Sequence, residues 1–86
     1  MLCHRGPHSL PATILVVEDE AAVRNVTREA LEMGGYHVLA ADGPIAATDS
    51  AHDESKAIDL LLTDVVMPGM NGPELARLVR ELRRSW

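Results

Sequence analysis

The stretch Asp59-Leu60-Leu61-Leu62-Thr63-Asp64-Val65-Val66-Met67-Pro68-Gly69-Met70-Asn71-Gly72-Pro73 constrains this chain more than any other. An apolar run of that length, with Asp64 at its carboxyl end and a Pro/Gly-rich turn behind it, has the composition of a central strand in a parallel sheet that opens into a site loop. Open α/β sheets bind their ligands at that end of the strands. A second apolar run, Thr13-Ile14-Leu15-Val16-Val17, leads into Glu18-Asp19-Glu20. Two strands of one sheet then deliver carboxylates to the same edge, and such a cluster invites a divalent cation.

Size and charge narrow the reading further. The 86 residues allow one domain, and a chain of this size buries only about 60–65% of its unfolded surface. With 47% hydrophobic residues but one Trp, one Tyr and no Phe, the core has to be built from Val, Leu, Ile, Ala and Met, which suits an α/β sandwich. A net charge of −5 and the single lysine, Lys56, argue against nucleic acid or an anionic membrane as the main partner. The one cysteine, Cys3, excludes an internal disulfide and fits a reducing compartment. No apolar run approaches a membrane span, and Met1 to Pro11 lacks the apolar segment of a signal peptide. The expectation is a cytoplasmic protein.

Taken in order, residues 1–12 hold Gly6, Pro7 and Pro11 without an apolar period and read as a flexible leader or linker. Cys3, His4 and His8 lack a fourth ligand at zinc spacing and read as part of a solvated tail. Thr13–Val17 is the first strand, and Glu18 or Asp19 stands where the next helix wants its N-cap. Glu20 to Met33 is a helix with Val23, Val26, Ala30 and Met33 on one face, stopped by Gly34-Gly35. Arg24 and Arg28 are spaced to pair with Glu20 and Glu32. Tyr36 to Ala41 is the second strand, and Pro44 opens an alanine-faced helix running to about Ser55. His37 and His52 read as structural or solvent-facing. Ala57 to Thr63 is the third strand, and Gly72-Pro73 opens a helix with Leu75, Leu78, Val79 and Leu82 as its stripe. Arg77, Arg80, Arg83 and Arg84 read as its solvated face. Strand and helix alternate, which with right-handed crossovers gives a parallel sheet covered on both faces.

The acids define the chemistry. Three carboxylates after a strand repel a bare phosphate unless a metal intervenes, and hard oxygen ligands favour Mg²⁺. The bland reading of Glu18-Asp19 is a pair of helix-capping or solvent-facing acids. Asp64 tips the balance, because an acid ending an apolar strand is costly to bury unpaired. A carboxylate held there can act as a nucleophile toward phosphorus. A phosphatase or nucleotide-binding enzyme would need a Gly-rich loop and an acid–base partner, which the sequence lacks, so the chain is read as a non-enzyme.

These residues also carry a resemblance. Ile14-Leu15-Val16-Val17-Glu18-Asp19-Glu20, followed by Asp59-Leu60-Leu61-Leu62-Thr63-Asp64-Val65-Val66-Met67-Pro68-Gly69-Met70-Asn71-Gly72, resembles the receiver domain of two-component response regulators, most closely the receivers of hybrid sensor histidine kinases. The resemblance covers Thr13 to Arg84. It implies a flavodoxin-like α/β fold, Asp64 as phosphoacceptor, Asp19 and Asp64 as direct Mg²⁺ ligands, Glu18 as a ligand through water, and the backbone carbonyl of Val66 as a further ligand. It also implies a histidine kinase or phosphotransfer protein as the phosphoryl donor.

The sequence departs from that family in extent. Receivers resemble five strand–helix units, and residues 13–86 supply three, so the expected sheet is partial, in order 2-1-3. The family's later Ser/Thr and Lys beside the phosphoryl group have no counterpart, and Lys56 precedes the third strand, at the wrong end of the sheet. In a 2-1-3 sheet the third strand, Ile58 to Val66, becomes an edge with unpaired backbone groups. The expectation is self-association through that edge as a homo-oligomer, exchange of elements with another copy, or an unstable fragment. The alternative function is therefore a truncated receiver serving as an interaction module with impaired or no phosphorylation.

Overall fold

The computed structural model describes residues 2–4, 11–53, 57–63 and 70–83, with only the backbone described for 2–4. Its elements run β1 (Leu2–His4), β2 (Thr13–Val17), α1 (Ala21–Met33), β3 (His37–Ala41), α2 (Pro44–His52), β4 (Leu60–Thr63) and α3 (Gly72–Leu82). The β-branched, apolar β2 is the central parallel strand. It pairs with β3 from Thr13 opposite His37 to Val17 opposite Ala41, and with β4 from Ile14 opposite Leu60 to Val17 opposite Thr63. The three parallel strands thus stand in the expected 2-1-3 order, inside a four-stranded sheet β1-β4-β2-β3.

Strand alternation assigns the faces. Leu15, Val17, Ala41 and Leu61 meet Ala47 and Ala51 of α2, Leu75, Ala76 and Val79 of α3, and Ile58 in one buried cluster. The alanines that make α2 a weak amphipathic helix are what let it lie close to the sheet. Both are fully buried, one turn apart. The stripe of α3 is centred on Leu75, Ala76 and Val79, with Leu78 and Leu82 at its half-buried margins. On the opposite face Ile14 and Val16 are buried under α1, which lies over β2 and β3. No residue of α1 is itself buried. Of its expected apolar face, Val26 is 66% and Met33 89% exposed. The helix ends at Gly34, whose N–H donates to Ala30 O at 3.2 Å, and Gly35 follows at φ +93°, in the left-handed region that a side chain disfavours.

Several expectations are corrected. Leu2–His4, read as part of a leader without regular structure, forms β1 and pairs antiparallel with β4: Leu2 opposite Leu62, Cys3 opposite Leu61, His4 opposite Leu60. The outer side of β4 is therefore not the bare edge that the three-strand sheet implies. The third strand starts at Leu60 rather than Ala57, because Asp59 closes the ladder with its side chain. Asp59 Oδ2 accepts from Thr13 N at 2.8 Å while Asp59 N donates to Thr13 O at 2.8 Å. Arg24 and Arg28 do not bond the acids at i,i+4 spacing; Arg24 donates to Glu18 O at 2.9 Å and Arg28 to Asn25 Oδ1 at 3.1 Å. Arg83 is not a solvated residue but a clamp on the end of α2: its guanidinium donates to Ala51 O at 2.9 Å, Asp53 O at 2.9 Å and Ser50 O at 3.4 Å. Ser50 and Ala51 stand in the last turn of α2, the negative end of the helix dipole, which is why a cation seats there. His37 and His52 are exposed, in keeping with the sequence reading. Lys56 and Arg84 lie outside the described residues.

The Asp59–Thr13 pair makes a stability prediction. Asp59 is 3% exposed, so Asp59→Ala strips the half-buried Thr13 N–H of its acceptor and costs about 1 kcal/mol. Asp59→Asn keeps an acceptor oxygen and costs less. Urea unfolding followed by circular dichroism checks the order of the three stabilities.

Candidate functional site

The C-terminal edge of the parallel strands carries Glu18 and Asp42. Val17 is opposite both Ala41 and Thr63, so β2, β3 and β4 end at one level. The residues that follow them in sequence are Glu18, Asp42 and Asp64. Glu18 extends the ladder by one step, its N–H donating to Ala41 O at 3.1 Å. Its side chain is 8% exposed, and Oε1 accepts from Glu20 N at 3.0 Å. Glu18 thus holds the backbone of the residue that precedes α1 instead of capping the helix from the N-cap position. That position belongs to Glu20, which makes no side-chain cap. Asp19, between them, is exposed.

Arg24 fixes this turn from the helix side. Its guanidinium bonds the Glu18 carbonyl at 2.9 Å, and its N–H donates to Glu20 O at 2.9 Å. The acidic turn is therefore tied to β3, to α1 and to itself before any ligand arrives. The sequence reading missed this role, since the four-residue spacing from Glu20 to Arg24 signals an exposed ion pair just as well. A recess of about 200 Å³ lies beside Glu18, lined also by Val16, Val17, Val23, Thr27, Leu62 and Thr63. Thr63, at the end of β4, is 4% exposed.

Asn71 caps α3. Its Oδ1 accepts from Glu74 N at 2.9 Å, and its amide donates to Glu74 Oε1 at 2.6 Å. This reciprocal pair, followed by Pro73 in the first turn, explains why α3 starts at Gly72. Of the four expected metal ligands, Glu18 and Asp19 stand together at the strand end. Asp64 and Val66 lie outside the described residues. Among the described residues no three His, Cys, Asp or Glu side chains group closely enough to hold a metal ion; the expected set draws on the other two. The donor chemistry fits Mg²⁺: a well-buried carboxylate and an exposed one in sequence, all ligands oxygen.

The comparisons with known proteins agree with this architecture. The profile of the response regulator receiver domain matches residues 14–86. The sensor kinase CckA of Brucella abortus is 42% identical over 74 residues, covering 86% of this chain and 8% of that protein. The response regulator receiver protein CpdR of the same organism is 44% identical over 69 residues, covering 80% of this chain and 56% of that protein. The chain thus spans just over half of CpdR and a small part of the sensor kinase. Among solved structures, the receiver domain of the hybrid histidine kinase CckA superposes with a TM-score of 0.77 at 43% identity, covering 84% of this chain and 67% of that one. The response regulator TrrA of Thermotoga maritima, solved in complex with Mg²⁺-BeF, gives a TM-score of 0.75 at 33% identity, covering 85% and 62%. The chain belongs to the response regulator receiver domain family of two-component systems.

The bonds around Glu18 separate structure from charge. Glu18→Gln keeps an Oε1 acceptor for Glu20 N, so without metal it loses less stability than Glu18→Ala. Glu18→Ala loses that bond and costs about 1 kcal/mol. Thermal unfolding monitored by circular dichroism in chelator distinguishes the two.

Proposed function

We propose that this chain is a phosphoacceptor of a two-component phosphorelay, taking a phosphoryl group from a phosphohistidine onto Asp64. The observation that supports it is the strand register. Val17 and Thr63 stand side by side at the end of two parallel strands, and the next residues along the two strands are Glu18 and Asp64. In the transfer a carboxylate oxygen of Asp64 attacks phosphorus, the O–P bond forms, and the P–N bond to the donor imidazole breaks. The imidazole nitrogen leaves with the electron pair and recovers a proton from solvent.

Mg²⁺ would be held by Asp19 and Asp64 directly, by Glu18 through water and by the Val66 carbonyl. When bound it supplies the positive charge that lets acids and a phosphoryl group share one site. The chain's own part is to hold the acids ready. Glu18 is braced by Glu20 N, Ala41 O and Arg24, so little ordering remains for binding. The donor is a histidine kinase or a phosphotransfer protein, and the chain acts as acceptor rather than as an enzyme with turnover. None of the described helices is long and apolar enough to cross a membrane; the same reading has the chain acting in the cytoplasm, beside its donor.

Intact-mass spectrometry after incubation with a small-molecule phosphodonor tests this directly. The expected result is a single phosphoryl adduct that requires Mg²⁺, disappears in Asp64→Asn and falls at least tenfold in rate in Glu18→Gln, a loss of about 1.4 kcal/mol of transition-state stabilisation. A folded sample that gives no adduct, or an adduct that persists in Asp64→Asn, overturns the assignment in favour of an interaction module.

A further inference from the structure

Asp19 lies between two peptide planes that side chains hold. The peptide joining Glu18 to Asp19 presents its carbonyl to Arg24, whose guanidinium donates to Glu18 O at 2.9 Å. The peptide joining Asp19 to Glu20 presents its N–H to the Glu18 carboxylate, with Glu20 N donating to Oε1 at 3.0 Å. A trans peptide is rigid, so holding the planes on both sides of a residue holds its φ and ψ, and with them the direction of its Cα–Cβ bond. Asp19 is exposed, so this backbone frame, rather than packing, directs its side chain. Arg24 is itself anchored: its N–H donates to Glu20 O at 2.9 Å in the first turn of α1, and its side chain is half-buried.

We infer that Arg24 is a positioning residue for the cation: by holding the Glu18–Asp19 peptide it directs the Asp19 carboxylate and raises the affinity of the acidic turn for Mg²⁺. The inference rests on the metal-assisted phosphoacceptor reading and adds to it a residue outside the ligand set. Two effects of Arg24 oppose each other, which makes the role measurable. A guanidinium near a cation site repels the cation, so by charge alone its removal tightens Mg²⁺ binding. As a brace it spares the turn an ordering cost on binding, so its removal weakens binding. Water and salt screen the charge of a half-buried guanidinium, whereas nothing screens the freedom of an unbraced peptide. The brace therefore prevails, and the sign of the change identifies it.

Titration with MgCl₂ followed by amide resonances tests this on the unaltered chain, Arg24→Met and Arg24→Lys. Arg24→Met keeps an unbranched stem without donor or charge and should bind Mg²⁺ about fivefold more weakly. Arg24→Lys restores a donor and should recover most of that loss. In chelator the amides of Asp19 and Glu20 should shift in Arg24→Met, while those of Thr13 and His37, at the far end of the strands, stay in place. Equal or tighter binding by a folded Arg24→Met overturns the inference and leaves the phosphoacceptor reading standing, as does an Arg24→Lys no better than Arg24→Met. An unaltered chain that binds no Mg²⁺ overturns both. Should Arg24→Met fail to fold, the unaltered chain decides, because a bond that favours binding is itself favoured by binding. Mg²⁺ should then slow the exchange of the Arg24 guanidinium protons, and unchanged or faster exchange overturns the inference.

Discussion

Everything in this structure depends on the register of β2 with its two parallel neighbours. Because side chains alternate across a strand, a slip of one residue would turn Leu15 and Val17 out of the core and Val16 into it. The observed register sets Leu15 beside Leu39 and Leu61, and Val17 beside Ala41 and Thr63, which builds the cluster that α2 and α3 cover. The same register ends all three strands at one level. Packing and site geometry are therefore one constraint: the pairing that buries the core is the pairing that brings the acidic turn to the end of β4.

The two ends of the sheet are held by different chemistry. At the N-terminal end Asp59 and Thr13 exchange two bonds of 2.8 Å, one of them through a buried carboxylate. A backbone pair alone would leave the entry to β4 free to fray. At the C-terminal end Glu18 and Arg24 bind backbone groups of the turn, leaving the exposed Asp19 carboxylate at its apex. Farther out, Arg83 ties the end of α3 to the last carbonyls of α2, so the two helices that cover the core hold each other.

Much of this was legible in the sequence, and what was not has physical reasons. Thr13–Val17 could be read to the residue because β-branched apolar residues bounded by a proline and an acidic turn leave little choice. The parallel sheet followed from alternating strands and helices with right-handed crossovers, and its 2-1-3 order from the resemblance to receiver domains; the site followed from carboxylates placed after apolar runs. β1 was not legible, since three residues carry no period and their pairing partner lies almost sixty positions away. Asp59 and Arg83 also escaped, because each acts on a backbone group distant in sequence and no local pattern announces such a bond. Arg24 was read as a helix-surface ion pair, whereas a backbone carbonyl that needed a donor claimed it. Charged side chains were thus the least legible class, and apolar ones the most.

The proposed function requires that the acids at the end of β2 and the residue after β4 form one metal-binding edge. Paramagnetic broadening of amide resonances by Mn²⁺, which shares the hard-oxygen preference of Mg²⁺, tests it most directly. The account predicts broadening centred on Glu18, Asp19 and Thr63 and extending to Asp42, with the amides of Thr13, His37 and Asp59 at the far end of the same strands left sharp, and with excess Mg²⁺ reversing the effect. Broadening spread evenly over the exposed acids, or centred anywhere other than the C-terminal strand ends, would contradict it.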